Sequence, residues 1–224
     1  MNGSRVSSLV ATVWESSASV ALAMAAALAV TSVAVGQATG TPSFNAPYRA
    51  FTQHEFGGTI SFLTGGPLDA TALEGQYRFG YRNFDIGARG GLLLRDDPGA
   101  DKVILGIEAR TRVITHAESF PLDGAVIFGA GFSIGDGTTV ILPIGLSLGR
   151  RIDVSDSKVS IVPYVQPTGF LVNGSNAVGD RSTDFDIGIG IGADFRLSEL
   201  FDARVSVGLG NGPEGVSISA VWVR

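Results

Sequence analysis

From residue 54 onward the chain alternates apolar and polar side chains one by one, in segments separated by turn-forming residues. Residues 184–197 are the clearest case. Phe185, Ile187, Ile189, Ile191, Ala193, Phe195 and Leu197 fall on one face, and Asp186, Gly188, Gly190, Gly192, Asp194 and Arg196 on the other. A helix scatters two such sets around its circumference, whereas an extended strand separates them completely. The same separation sets Leu73, Tyr77, Phe79 and Tyr81 against Glu74, Gln76, Arg78 and Arg82. It sets Phe84, Ile86, Ala88, Leu92 and Leu94 against Asp85, Arg89 and Arg95, and Val103, Leu105, Ile107, Ala109 and Val113 against Lys102, Glu108, Arg110 and Arg112. Toward the end it sets Ala203, Val205, Val207 and Leu209 against Asp202, Arg204 and Ser206, then Val216, Ile218, Ala220 and Trp222 against Ser217 and Ser219. The pattern predicts strands at 54–64, 72–82, 84–95, 102–113, 123–135, 138–150, 158–171, 184–197, 202–210 and 215–224. Within 158–171, Pro163 and Pro167 cannot donate to a ladder, so a bulge or frayed end is expected there. About ten strands follow, with eight possible if weak ones merge.

Strands of roughly 10 to 14 residues exceed the five or six usual in soluble sheets and match the 9–11 needed to cross a bilayer at a tilt. The polar face mixes glycine with both signs of charge, as a narrow interior requires. Aromatic residues gather near strand ends: Tyr77, Tyr81 and Phe84, then Phe195 and Phe201, then Trp222. Interfacial girdles occupy such positions. A sheet in hydrocarbon must also close, because an open edge leaves N–H and C=O groups unpaired at several kcal/mol each. The expected fold is all-β, a closed antiparallel up-and-down transmembrane barrel. A soluble secreted sheet with its apolar face packed internally is the alternative that alternation alone leaves open.

The first 38 residues break this pattern. Residues 18–35 are uncharged and rich in alanine, Arg5 is the only basic residue before them, and small Gly36 and Ala38 stand where a signal peptidase cuts. A leader over 1–38, cleaved after Ala38, is expected, followed by a periplasmic N-terminal segment at 39–53 and the barrel at 54–224. Alternating the connections from there puts the longest, 173–182, outside. Arg82–Asn83, Thr115–Leu122, Arg151–Ser157 and Ser198–Leu200 fall inside.

Composition sharpens this picture. Of 31 glycines only Gly3 and Gly36 precede residue 39, and helical proteins do not carry glycine at that density. Charged residues make up 17% of the chain and the net charge is −5 with no basic run, which argues against nucleic acid as a partner. The chain has no cysteine, so disulfides, thiolate metal sites and a lipidated cysteine are excluded.

The segment 54–224 resembles the small outer-membrane β-barrel families: the OmpA-type transmembrane domains and their OmpX- and OmpW-like relatives. The G-I-G-I-G run at 188–192, the short S-E-L turn and the closing strand E-G-V-S-I-S-A-V-W-V-R carry the likeness. The resemblance implies an outer-membrane location, lipid as surroundings and the barrel-assembly machinery as a partner during biogenesis. It also implies a terminal aromatic residue read by that machinery; here Trp222 stands third from the end and Arg224 is last.

The candidate site is the lumen, where Glu74, Arg78, Arg82, Asp85, Arg89, Glu108, Arg110, Arg112, Asp186, Asp194, Arg196, Asp202 and Arg204 are all expected to point. Small barrels are filled by their own side chains, so a ladder of ion pairs is expected rather than an ion path. No catalytic residue, cofactor or metal is expected. His54 and His116 lie far apart, and H-A-E-S at 116–119 falls on a periplasmic turn, away from outer-leaflet lipid. Asp96, Asp97 and Asp101 read as a solvated acidic loop, and the N-G-S at 173–175 has little meaning in a bacterial chain. A non-enzymatic, monomeric barrel with a structural or surface-interaction role is the functional expectation, with a narrow pore or a carrier for small molecules as the alternative.

Overall fold

A computed structural model describes residues 37–47, 53–64, 69–95, 101–135, 137–155, 157–175, 181–210 and 214–224. Eleven strands account for most of them: β1 (His54–Thr64), β2 (Ala70–Tyr81), β3 (Phe84–Arg95), β4 (Lys102–Ile114), β5 (Asp123–Ile134), β6 (Thr138–Gly149), β7 (Ile152–Asp153), β8 (Ser160–Ser175), β9 (Arg181–Arg196), β10 (Phe201–Gly210) and β11 (Glu214–Val223). Each long strand pairs antiparallel with its neighbours in sequence. β1 pairs with β11, and β6 pairs with β8, so ten strands close into an up-and-down barrel. The two-residue β7 extends the β6 edge against the start of β8. At the seam His54 and Arg224 exchange two backbone hydrogen bonds of 2.8 Å. Closure leaves the long strands with no free edge, as a sheet in hydrocarbon requires.

Strand bounds follow the alternation closely. The exception is β8–β9, whose strands run on to Ser175 and from Arg181. Asn173, expected in a loop, is instead paired with Thr183, its Nδ2 donating to Thr183 Oγ1 at 2.6 Å. The prolines of β8 introduce no bulge. Its register with β9 is continuous from Ser160 to Ser175, and the ladder to β6 lapses only opposite Gln166 and Pro167 before resuming in phase. Neighbouring rungs hold the register across one missing donor. The irregularity lies instead in β4, where the pairing with β5 shifts between Arg112 and Ile114.

Burial inverts the order of a soluble protein. Ile107, Ile144 and Phe185 are 60%, 61% and 65% exposed, while Glu55 and Asp85 are fully buried and Arg110 is 1% exposed. The buried apolar cluster is small: Phe44, Ala46, Val162 and Tyr164. A soluble domain of this size would expose these charges and bury these isoleucines. An 11-residue strand such as β1 rises about 36 Å, or about 28 Å when tilted by about 40°, close to the apolar band of an outer-membrane barrel.

Aromatic side chains mark the rim that carries His54 and Arg224. Phe56 stacks on Trp222 with centroids 5.8 Å apart, Phe201 meets Trp222 edge-on at 5.1 Å, and Tyr81 meets Phe84 at 5.6 Å. Each such pair adds about 0.5–1.5 kcal/mol beyond its burial. Tyr77 and Phe79 lie on the same rim, exposed, across from Phe56 and His54.

Candidate functional site

Inside the barrel, strand register brings the charges together. Glu55, Arg78, Gly87 and Glu108 occupy one rung across β1 to β4. Gly87 leaves its place empty, and Arg78 fills it: a Cβ there would stand 3.0 Å from Arg78 Cζ. Arg78 thereby reaches Glu108, donates to Asp85 Oδ1 at 2.5 Å, and stands 4.0 Å from Glu55. Arg110 is the cross-strand partner of Asp85 and grips it by Nε and Nη2, the latter at 2.9 Å. Arg204 binds Glu55 at 2.7 Å and faces Asp194 at 3.3 Å and Asp202 at 3.5 Å. One continuous network thus runs from Asp202 through Arg204, Glu55 and Arg78 to Asp85 and Arg110. Alternation placed these groups on one face; hairpin register paired those of β2 to β4, and closure brought Arg204 of β10 to Glu55 of β1.

The segment Gln37–Pro47 lies within this network. Every residue of it is buried. Thr39 and Thr41 donate to the two oxygens of Glu74, each at 2.7 Å. Arg89 donates to Ser43 Oγ, and Arg110 Nη1 to the Ala46 carbonyl at 2.7 Å. Asn45 accepts from Arg204 through its side chain (3.0 Å) and from Ser147 through its carbonyl (2.9 Å). Ser206 donates to the Pro42 carbonyl at 2.6 Å and accepts from Phe44 N at 3.2 Å. Inward glycines make the room: a Cβ on Gly190 would fall 2.3 Å from the Phe44 ring, and one on Gly131 would fall 1.7 Å from the Ala38 carbonyl oxygen. Glycine in a strand interior commonly marks such a close backbone approach. This part of the expected periplasmic segment 39–53 is therefore a plug inside the barrel. Its small polar residues read as solvated in the sequence, but what surrounds them is a lining of fixed charges and hydroxyls.

Of the predicted lumenal residues, Glu74, Arg78, Asp85, Arg89, Glu108, Arg110, Asp194, Asp202 and Arg204 are buried in the interior. Asp186 and Arg196 are half-buried. Two predictions are corrected. Arg82 sits in the turn after β2 with φ 55° and lays its guanidinium over the exposed Tyr81 ring at 5.3 Å. Arg112 is exposed at the rim, where its N–H bonds Asn83 O at 2.9 Å, level with the β2–β3 turn and past the end of the lumen. In-phase position along a strand says which face a residue takes, not whether the barrel still encloses it there.

Glu55 is the lumenal charge that the prediction omitted, although it keeps phase with Gly57, Thr59 and Ser61 on the inward face of β1. Asp123 is likewise buried, accepting from His116 N at 3.2 Å and meeting its Nδ1 at 2.9 Å. His54 bonds Tyr77 Oη at 2.9 Å on the aromatic rim. Nothing brings the two histidines together. A pocket of about 200 Å3 opens near the same rim, lined by Ala46, Gln53, Arg151, Ser160, Asp194, Arg196 and Asp202 among others. Residues 1–36 of the expected leader, and Asp96 and Asp97 of the acidic loop, lie outside the described residues.

No family model matches the chain, and no curated protein matches it. Among solved structures it is similar to Ail, the attachment invasion locus protein of Yersinia pestis, in a complex with the heparin analogue sucrose octasulfate. That similarity has 11% sequence identity over 76% of this chain and 94% of that one, with a TM-score of 0.28. A superposition at this score adds nothing to the strand pairing described above.

Proposed function

We propose that this chain is a non-enzymatic barrel of the bacterial outer membrane. Its lumen is occupied rather than conducting, and its role is structural or one of surface interaction through the connections at the rim opposite His54 and Arg224. One observation carries the reading: large exposed apolar side chains cover the outer face around the closed sheet, while ion pairs, the Gln37–Pro47 plug and a minority of apolar residues such as Ile104 and Phe170 occupy the inside. Apolar surface of that extent on a soluble monomer would drive association. In lipid it is the ground state, and the bilayer then fixes the barrel as its neighbour. The plug speaks against the alternative of a narrow pore, because it fills the axis where a path would run.

Three measurements test this. The protein should remain in the outer-membrane fraction after a carbonate wash and migrate differently on gels before and after boiling; solubility in buffer without amphiphile would end the membrane reading. In planar bilayers the intact protein should give no steady single-channel steps, while a variant lacking residues 39–47 that still shows heat-modifiable migration should give them. Defined steps from the intact protein would favour the pore instead.

A further inference from the structure

We infer that the export leader is cut after Gly36, so that the mature chain begins at Gln37 and not at Thr39; the inference rests on the export reading above. The sequence alone admits both cuts. Gly36 and Ala38 form one small-x-small pair before Thr39, and Ala34 and Gly36 form another before Gln37.

The lumen distinguishes them. Ala38 is fully buried and Gln37 is 2% exposed. Three glycines of β4 and β5 surround Ala38. A Cβ on Gly131 would fall 1.7 Å from its carbonyl oxygen, one on Gly106 3.1 Å from its Cβ, and one on Gly129 3.2 Å from its Cβ. Glycine weakens a strand interior and is kept there where another backbone passes close. Ala38 is that backbone. A cut after Ala38 would remove the backbone that Gly131 admits, while Gly106 would keep Thr39 Cγ2 at 3.1 Å and Gly129 the Ile107 carbonyl oxygen at 2.7 Å, so Gly131 carries the distinction.

Local bonding agrees. Gln37 N–H donates to the Thr41 carbonyl at 3.0 Å, and the Gln37 carbonyl accepts from Gly40 N at 2.8 Å, closing a turn in which Gly40 takes φ 76°. Both bonds are lost if the chain starts at Thr39. Charge also accommodates a terminus here. Among the described residues the buried side chains carry seven carboxylates (Glu55, Glu74, Asp85, Glu108, Asp123, Asp194, Asp202) against four guanidiniums. A Gln37 ammonium adds one positive charge, bonded to Thr41, whose hydroxyl holds Glu74. The reaction is hydrolysis of the Gly36–Gln37 peptide bond by a signal peptidase: water adds, the C–N bond breaks, and Gly36 leaves as a carboxylate. A terminal glutamine can then cyclise, its α-nitrogen attacking Cδ and expelling Nε2 as ammonia; either form marks the same cut.

The test is the intact mass and N-terminal peptide sequence of full-length protein recovered from the outer-membrane fraction. A start at Gln37, open or lighter by one ammonia, is expected. A start at Thr39 overturns the inference and leaves export standing, whereas an uncut chain retained in the cytoplasm or inner membrane overturns export itself. Two precursor variants give a second readout independent of folding. Ala34→Leu blocks the inferred cut and should accumulate precursor, while Ala38→Leu should be cut at the normal rate; the opposite pattern overturns the inference.

Discussion

Replacing Arg204 by methionine isolates what the lumenal network depends on. The side chain keeps most of its volume and loses its charge, leaving Glu55, Asp194 and Asp202 beside an apolar group. Glu55 retains Arg78 only at 4.0 Å, and Asp194 makes no hydrogen bond among the described residues. Removing one partner of a buried pair costs about 3–5 kcal/mol, because the remaining charge is stranded. With several carboxylates affected and the Asn45 bond to the plug also lost, the upper end applies. A loss of about 4–5 kcal/mol corresponds to roughly a thousandfold change in the unfolding equilibrium. Urea unfolding in phospholipid vesicles, followed by Trp222 fluorescence, reads this as a lower midpoint at an unchanged slope. Adding Asp194→Asn to the methionine variant should recover part of the loss, although the same change in the native background costs stability. A loss below about 1 kcal/mol, or no recovery in the double variant, would mean that lumenal water rather than Arg204 neutralises these carboxylates.

Other consequences test separate parts of the argument. Ile107→Arg, at mid-strand on the outer face, should cost about 2–4 kcal/mol in a bilayer; a change within about 0.5 kcal/mol, as for an ordinary surface site, would mean that water covers this face. Gly190→Ala should cost about 1–3 kcal/mol by driving a methyl group into the Phe44 ring, and that cost should shrink in a Phe44→Ala background. Equal costs in both backgrounds would show that the plug does not occupy that position. Gly131→Ala should lower the fraction of heat-modifiable barrel, since its methyl group would meet the Ala38 carbonyl; a fully stable variant would place the plug elsewhere.

Much of the barrel is a local property of the chain. Side chains alternate with period two in any strand, so Phe185 to Leu197 opposed to Asp186 to Arg196 already defines β9 and its two faces. Strand length against bilayer thickness, together with the absence of any other way to satisfy an edge, then makes closure the expected outcome. The inward direction of Glu74, Arg78, Asp85, Glu108 and Arg110 follows from phase alone.

What phase could not carry is height along the barrel axis and the identity of partners. Arg112 is in step with Arg110, yet one is exposed and the other buried, because the rim falls between them. The rung joining Glu55, Arg78 and Glu108 across Gly87 depends on the stagger of four strands, which is a property of their pairing and not of any one strand's phase. The plug was hidden for a related reason. Residues 39–47 have no apolar period, and a polar lumen and bulk water ask for the same small hydrophilic side chains. Only the glycines of β4, β5 and β9, standing where a Cβ would strike Ala38 or Phe44, distinguish the two surroundings, and their meaning appears once the strands are assembled around the segment.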